Sequence, residues 1–120
     1  MFKYYKKYLK IEKSFVGIIS KVDSENELFE GLAKALDFPN YFGKNWNAVN
    51  DCLCDFSWIE DKNIALVHTS IADLEDELLI IYIDILIEAI NSWKDDSEHN
   101  LTIYFDTSDK NRIERIRKAI

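Results

Sequence analysis

Three short runs dense in β-branched and aromatic residues, 15–20 (FVGIIS), 64–69 (IALVHT) and 101–106 (LTIYFD), most constrain how this chain can fold. The first two are almost continuously apolar. Such strands are usually covered on both faces, as in a parallel sheet. Helical patterns separate the three runs. Strands that alternate with helices imply parallel pairing through right-handed crossovers. The expected fold is α/β, a three-stranded parallel sheet packed with helices, in the order β-α-α-β-α-β-α.

The first helix is expected to start after Ser24, a fitting N-cap with Glu27 three residues on. Its apolar residues Leu28, Phe29, Leu32, Ala35 and Leu36 recur at three- and four-residue steps, and Pro39 stops it. A second helix lies within 45–58. A third runs from about 72 to 93, with Ser70 or Asp73 as its cap. The last covers about 109–120, with Ile113, Ile116 and Ile120 on one face. The third helix is apolar around most of its circumference, with Glu77, Asp84, Glu88 and Asn91 as one narrow polar stripe. It reads as the central core helix, or as one whose surface partly meets another subunit.

Only three glycines and one proline in 120 residues leave little room for a linker, so one domain, 1–120, is expected. Its core is placed at about 15–106, with a basic N-terminal arm at 1–13 and an added C-terminal helix. Cys52 and Cys54 are too close for an ordinary disulfide framework, which favours a reducing compartment. The N-terminus lacks the apolar region of a signal peptide. The apolar run at 78–90, broken by Asp84 and Glu88, is too short to span a bilayer. A cytoplasmic protein without membrane contact is the expectation, with the oligomeric state open and a monomer favoured.

The net charge of −7 is unevenly placed. Residues 1–13 hold five Lys against one Glu, residues 110–120 five Lys or Arg against one Glu, and the body between them five Lys against 20 acids. An acidic body repels nucleic acid and attracts cationic partners, although charge of this kind also serves solubility. No direct nucleic-acid binding is expected.

On a helical wheel, Trp46, Val49, Leu53 and Phe56 fall within about 80° of one another, with Cys52 at their flank. Asn47, Asn50, Asp51 and Cys54 fall on the opposite side, and Asp55 lies at its edge. The helix thus offers a small face of amides and carboxylates. In the preceding loop, Pro39 stiffens the chain and Gly43 allows a tight turn. Tyr41 and Phe42 are adjacent, so one can pack inward while the other stays exposed. An exposed aromatic beside carboxylates suits an interface.

The run Pro39-Asn40-Tyr41-Phe42-Gly43-Lys44-Asn45-Trp46-Asn47-Ala48-Val49-Asn50-Asp51-Cys52-Leu53 resembles the helix-and-loop signature of the barstar family. The flanking order of strands and helices, over about 15–106, resembles it as well. The resemblance implies an intracellular inhibitor, or immunity protein, whose second helix and preceding loop plug the active site of a basic ribonuclease. It implies that Asp51 stands in for a substrate phosphate, that Tyr41 is the loop aromatic and Cys52 the following cysteine, and that Gly43 and Asn45 hold structural positions. The expected contact surface is Tyr41, Gly43, Lys44, Asn47, Asn50, Asp51, Cys54 and Asp55. A second acidic contact is expected from Glu88, Asp95 or Asp96. Many relatives carry an acid where Asn47 stands, and the type member has an aromatic at Asn50. The partner is therefore expected to differ from that member's enzyme.

Other readings have weaker support. Cys52 and Cys54 lie about 200° apart on one helix and cannot readily share a metal, with or without His68 and His99. Cys52 and His68 could pair as nucleophile and base, but Asp51 and Asp55 disfavour a thiolate. No Gly-rich phosphate loop or hydrolase motif is present. No enzymatic activity, cofactor or metal is expected. A binding module of the same fold, with a partner other than a ribonuclease, stays open.

Overall fold

The expected strands form as β2 (Phe15–Ile19), β3 (Asn63–His68) and β4 (Asn100–Asp106) in a computed structural model that describes residues 1–95 and 98–120. β2 pairs with β3, and β3 with β4, all in parallel. A fourth strand corrects the three-stranded expectation. β1 (Phe2–Tyr5) lies in the basic arm and pairs in parallel with β4, giving the spatial order β1-β4-β3-β2. The element order is therefore β-β-α-α-β-α-β-α. The four residues FKYY carry too short a pattern to stand out among flanking lysines. Their alternation is nevertheless real: Phe2 and Tyr4 both pack on the Phe105 ring, and Lys3 between them is exposed.

Topology settles which face each connection covers. From β2 through β3 to β4 the chain steps across the sheet in one direction, and right-handed crossovers place the intervening helices on one face. From β1 to β2 it steps the other way, so the same handedness sends residues 6–14 over the opposite face. Burial agrees. β3 is buried at every position from Ile64 to His68, as a central strand covered on both sides would be. β2 is not covered on both sides: Ile19 is buried, but Val16 and Ile18 are exposed.

Helix α1 (Glu25–Ala35) starts at Ser24, whose hydroxyl accepts from the Glu27 backbone N–H at 3.1 Å. Glu27 reaches back to the Asp23 N–H at 2.9 Å. The helix stops before Pro39. Asp37 takes a left-handed conformation (φ 54°) and the Phe38 N–H bonds to the Ala33 carbonyl, a Schellman closure. Gly17 brings β2 against the end of this helix, for a Cβ there would lie 2.4 Å from the Ala35 carbonyl oxygen.

Helix α2 spans Trp46–Leu53 and α3 spans Asp76–Trp93. Neither Ser70 nor Asp73 caps α3: its N-cap is Glu75, without a side-chain bond, and the Ser70 hydroxyl serves the Ala72 N–H in the turn before it. α3 buries Leu79, Tyr82, Ile83, Leu86, Ala89 and Trp93 at the centre of one core shared by all four helices. Ile80 and Ile81 stay exposed on its outer side. A 3₁₀ turn (Thr107–Asp109) leads into α4 (Lys110–Ala119). Ile113 and Ile116 are buried there, whereas Ile120 lies past the helix end and is exposed.

β1 and α4 pack on each other. The Tyr4 hydroxyl donates to Glu114, the Lys110 ammonium lies 5.5 Å from the Tyr4 ring centre, and the Arg117 guanidinium lies 4.7 Å from that of Phe2. Burial and the Glu114 carboxylate push the Tyr4 phenol far above its ordinary range. The start of the basic arm, Phe2–Tyr5, is thus part of the sheet and tied to the other end of the chain.

Candidate functional site

Asn45 opens α2. Its side-chain oxygen accepts from the Ala48 N–H at 2.8 Å, and its amide donates to the Gly43 carbonyl at 3.2 Å. The left-handed residue of this loop is Lys44 (φ 49°), not Gly43, which keeps a negative φ. The turn attributed to Gly43 in the sequence is therefore made one residue later. A Cβ on Gly43 would lie 3.3 Å from the Asn45 amide, so small size is what the position asks for.

Three indoles hold the surroundings of α2. Trp46 Nε1 donates to Glu25 at 3.1 Å and its ring packs on Phe29 and Tyr82. Trp93 Nε1, from α3, donates to the Leu53 carbonyl at 2.8 Å, satisfying the last residue of the helix. Trp58 Nε1 donates to the Leu36 carbonyl at 3.0 Å, tying the chain after α2 to the end of α1. Val49, Cys52, Leu53 and Phe56 are buried, while Trp46 is half-buried. Phe56 reaches the core through a left-handed backbone (φ 48°), which a helical wheel does not describe.

The opposite side of α2 carries Asn47 and Asp51, both exposed, and Asn50 and Cys54, both half-buried. The Cys54 thiol lies 3.7 Å from the Asn50 side-chain oxygen, to which it donates. Asp55, just past the helix, is exposed. Tyr41 is 73 % exposed, whereas its neighbour Phe42 turns inward against Phe38 and Phe29. Lost hydration and the nearby Asp55 and Cys52 raise the Tyr41 phenol above its usual value. Burial, followed by Asp55 and Asp51, likewise raises the Cys52 thiol. Tyr41 is thus within electrostatic reach of Asp55, at the acidic end of the helix.

Lys44 points elsewhere. Its ammonium lies 3.4 Å from Glu30 on α1, so the loop's one cation is paired away from Asp51 and Asp55. Glu88 is exposed on α3 and Asp95 in the turn after it, while Asp96 lies outside the described residues. Sequence reasoning did not find the indole contacts. The three tryptophans were visible, but their partners are a carboxylate and two carbonyls that only the fold brings near.

His68 and Cys52 do not form a reactive pair. His68 is buried at the end of β3, with Nδ1 3.0 Å from the Tyr104 carbonyl and Nε2 2.6 Å from the Tyr82 hydroxyl. A carbonyl only accepts, so Nδ1 carries the proton and Nε2 accepts from Tyr82. Burial pulls the imidazole down to about 4, opposed by its bond to Tyr104. His99 is also buried, with Nδ1 2.9 Å from the Asp61 carbonyl. Among the described residues, no group of three or more His, Cys, Asp or Glu is placed to hold a metal ion.

The family model described as Barstar (barnase inhibitor) matches residues 13–106. This chain belongs to the barstar family. Comparison with curated proteins gives no match. The barstar match takes in β2, α1, α2, β3, α3 and β4, and with them the whole α2 surface and its loop. β1 and α4 fall outside it, so the barstar core carries here an added strand and an added helix that pack on each other.

Proposed function

We propose that this barstar-family protein inhibits a basic ribonuclease, laying α2 and its preceding loop over the enzyme's active site within the cell that makes both. The observation that carries this reading is the α2 face. It carries Asp51 and Asp55 exposed on its outer side, with Tyr41 exposed on the preceding loop within electrostatic reach of Asp55, on a helix whose far side is buried and whose end is tied to Trp93. Asp51 supplies the phosphate-like charge, because a carboxylate accepts charge-assisted, often bidentate bonds from the arginines that would hold a phosphate. Tyr41 supplies rigid apolar area at the rim. Asn47 and Asn50 add hydrogen bonds without charge, and Cys54 and Asp55 close the surface at the helix end. Gly43 lets the partner's backbone approach the loop, and Lys44, paired with Glu30, borders it. Glu88 or Asp95 adds a second acid from the α3 side. The protein itself performs no chemistry in this reading and needs neither metal nor cofactor.

A second reading keeps the surface and changes the partner. Two amides stand at the middle of the face, so hydrogen bonding could serve a protein that is not a nuclease. One experiment separates the two. The tagged protein is used to capture its partner from the native host, and the purified partner is assayed on RNA. An RNA-cleaving partner silenced by one equivalent of this protein supports inhibition. A partner without nuclease activity overturns it in favour of the second reading.

A further inference from the structure

The ribonuclease reading leaves one surface unused, the sheet face away from the helices. It is crossed only by residues 6–14 on their way from β1 to β2, among the described residues. Under that strap runs an open groove of about 330 Å³, whose walls include Leu9, Ile11, Val16 and Val67. Ile18, also in the groove wall, is 59 % exposed, and Tyr8, at a turn of the strap closed by the Lys6–Tyr8 bridge, is 89 % exposed. Val16 and Ile18 are both exposed in the groove wall, so the groove offers apolar surface to a partner.

The charge on this face opposes that of the molecule. Lys3 on β1 and Lys6, Lys7, Lys10 and Lys13 on the strap are all exposed. Acids near them include Glu12, 3.2 Å from Lys10, Asp106 at the end of β4, held by the Ser108 N–H, and the buried Asp109, which with Asp106 acts on Tyr5 in the groove wall. The molecule measures 25 Å across its shortest axis. At physiological salt the screening length is about 8 Å, so a flat surface approaching the strap feels chiefly the lysines.

We propose that this face is a peripheral docking surface for an anionic lipid membrane. Lysines meet the headgroups while Tyr8 and Ile18 enter the boundary between headgroups and acyl chains, the pattern of one-sided interfacial binding. Lysine charge without arginine forks, together with exposed aliphatic side chains, suits headgroups and acyl chains better than stacked RNA bases. The sequence led to an expectation of no membrane contact, from which this proposal departs. That expectation rested on the lack of a spanning segment, and no described helix is long and apolar enough to cross a membrane. Lying on a surface needs none.

The test is sedimentation of the whole protein with phosphatidylcholine vesicles, with and without phosphatidylglycerol, at low and physiological salt. A net charge of −7 by itself would give repulsion, so binding to the anionic vesicles is informative. Binding should need the anionic lipid and weaken with salt. The triple variant Lys6→Gln, Lys7→Gln, Lys10→Gln should bind on the order of 100-fold less, and Tyr8→Ser with Ile18→Ser should also bind less. Both should keep the unfolding midpoint of the parent, since all five side chains are exposed. Asp51→Ala should bind vesicles as well as the parent, which separates this surface from the α2 face. Absent binding at low salt, equal binding to neutral vesicles, or an unaffected triple variant overturns the proposal. So does binding of RNA oligonucleotides in preference to vesicles, or self-association lost in the same variant.

Discussion

The Nε2 atom of His68 lies 2.6 Å from the hydroxyl of Tyr82, and in that position the imidazole must be neutral to accept the bond. Protonation would replace the acceptor with a donor in a fully buried site. The folded His68 therefore takes up a proton only near pH 4, against about 6.5 for an exposed imidazole. Between those values the unfolded chain binds more protons, so stability falls as the pH drops from about 6.5 to about 4. The full loss is on the order of 3 kcal/mol. His68→Gln keeps an acceptor for Tyr82 and does not titrate. Urea unfolding at neutral pH and near pH 4 should show the parent losing more stability than this variant. Parallel losses would assign the acid sensitivity to other groups.

Gly17→Ala is expected to destabilise the fold without touching the binding face. The new methyl group would fall 2.4 Å from the Ala35 carbonyl oxygen, and both partners are backbone-fixed. Relief requires β2 and α1 to separate, a strain in the range of overpacked cores, about 1–3 kcal/mol or more. A lowered urea midpoint with an unchanged m-value would report this.

Trp93→Phe tests whether α2 is held at its end from α3. The change keeps the ring stacked near Phe56 but leaves the Leu53 carbonyl without its donor. A buried carbonyl stripped of its partner costs roughly 1–3 kcal/mol. Amide exchange should quicken along α2 beyond the level set by global unfolding. Uniform acceleration across the chain would mean that Trp93 contributes only to overall stability.

Much of this architecture could be read from residue order, because apolar strand runs and helical periods are local signals. Ser24 and Glu27, Pro39, and the buried stripe of Val49, Cys52 and Leu53 follow from neighbours within four residues. What escaped depends on contacts distant in sequence. β1 is a strand because β4, about 100 residues away, offers it a paired edge and Phe105 a floor. The α3 cap was misplaced because Ser70 completes a turn instead of starting a helix. For the site, the wheel grouped the polar side of α2 but could not place Tyr41, which comes near Asp55 through the course of the loop. The pairing of Lys44 with Glu30 on α1, 14 residues earlier, was likewise not legible from neighbouring residues.

Association with a basic ribonuclease should be faster at low salt than at physiological salt. The body between residues 14 and 109 carries 20 acids against five lysines, and Asp51 and Asp55 are exposed within it. Long-range attraction of this kind acts on the association rate and is screened as the Debye length shortens. Stopped-flow mixing across a salt series should give a falling rate with a nearly constant dissociation rate. A flat association profile would mean that contact, not steering, controls recognition.

Asp51→Ala should weaken binding to the captured ribonuclease at least tenfold, and more than Asp55→Ala. Both side chains are exposed in the free protein, so neither truncation should move the unfolding midpoint appreciably. The difference arises on binding. Asp51 lies within the helix, between Asn47 and Asp55 on the outer face, where an incoming active site would enclose it. Asp55 follows the helix at the border with Tyr41 and keeps more water. Removing an enclosed charge leaves the partner's cations desolvated and unpaired. Truncated interfacial charge pairs of that kind, those of the family's own type complex among them, cost about 2–5 kcal/mol or more, chiefly in the dissociation rate. Removing a rim charge changes mainly the association rate. Surface-binding kinetics of the two variants should therefore differ in kind: faster dissociation for Asp51→Ala, slower association for Asp55→Ala. Equal effects on the same rate would show that the two acids share one environment in the complex, and an unchanged affinity for Asp51→Ala would remove it from the contact surface.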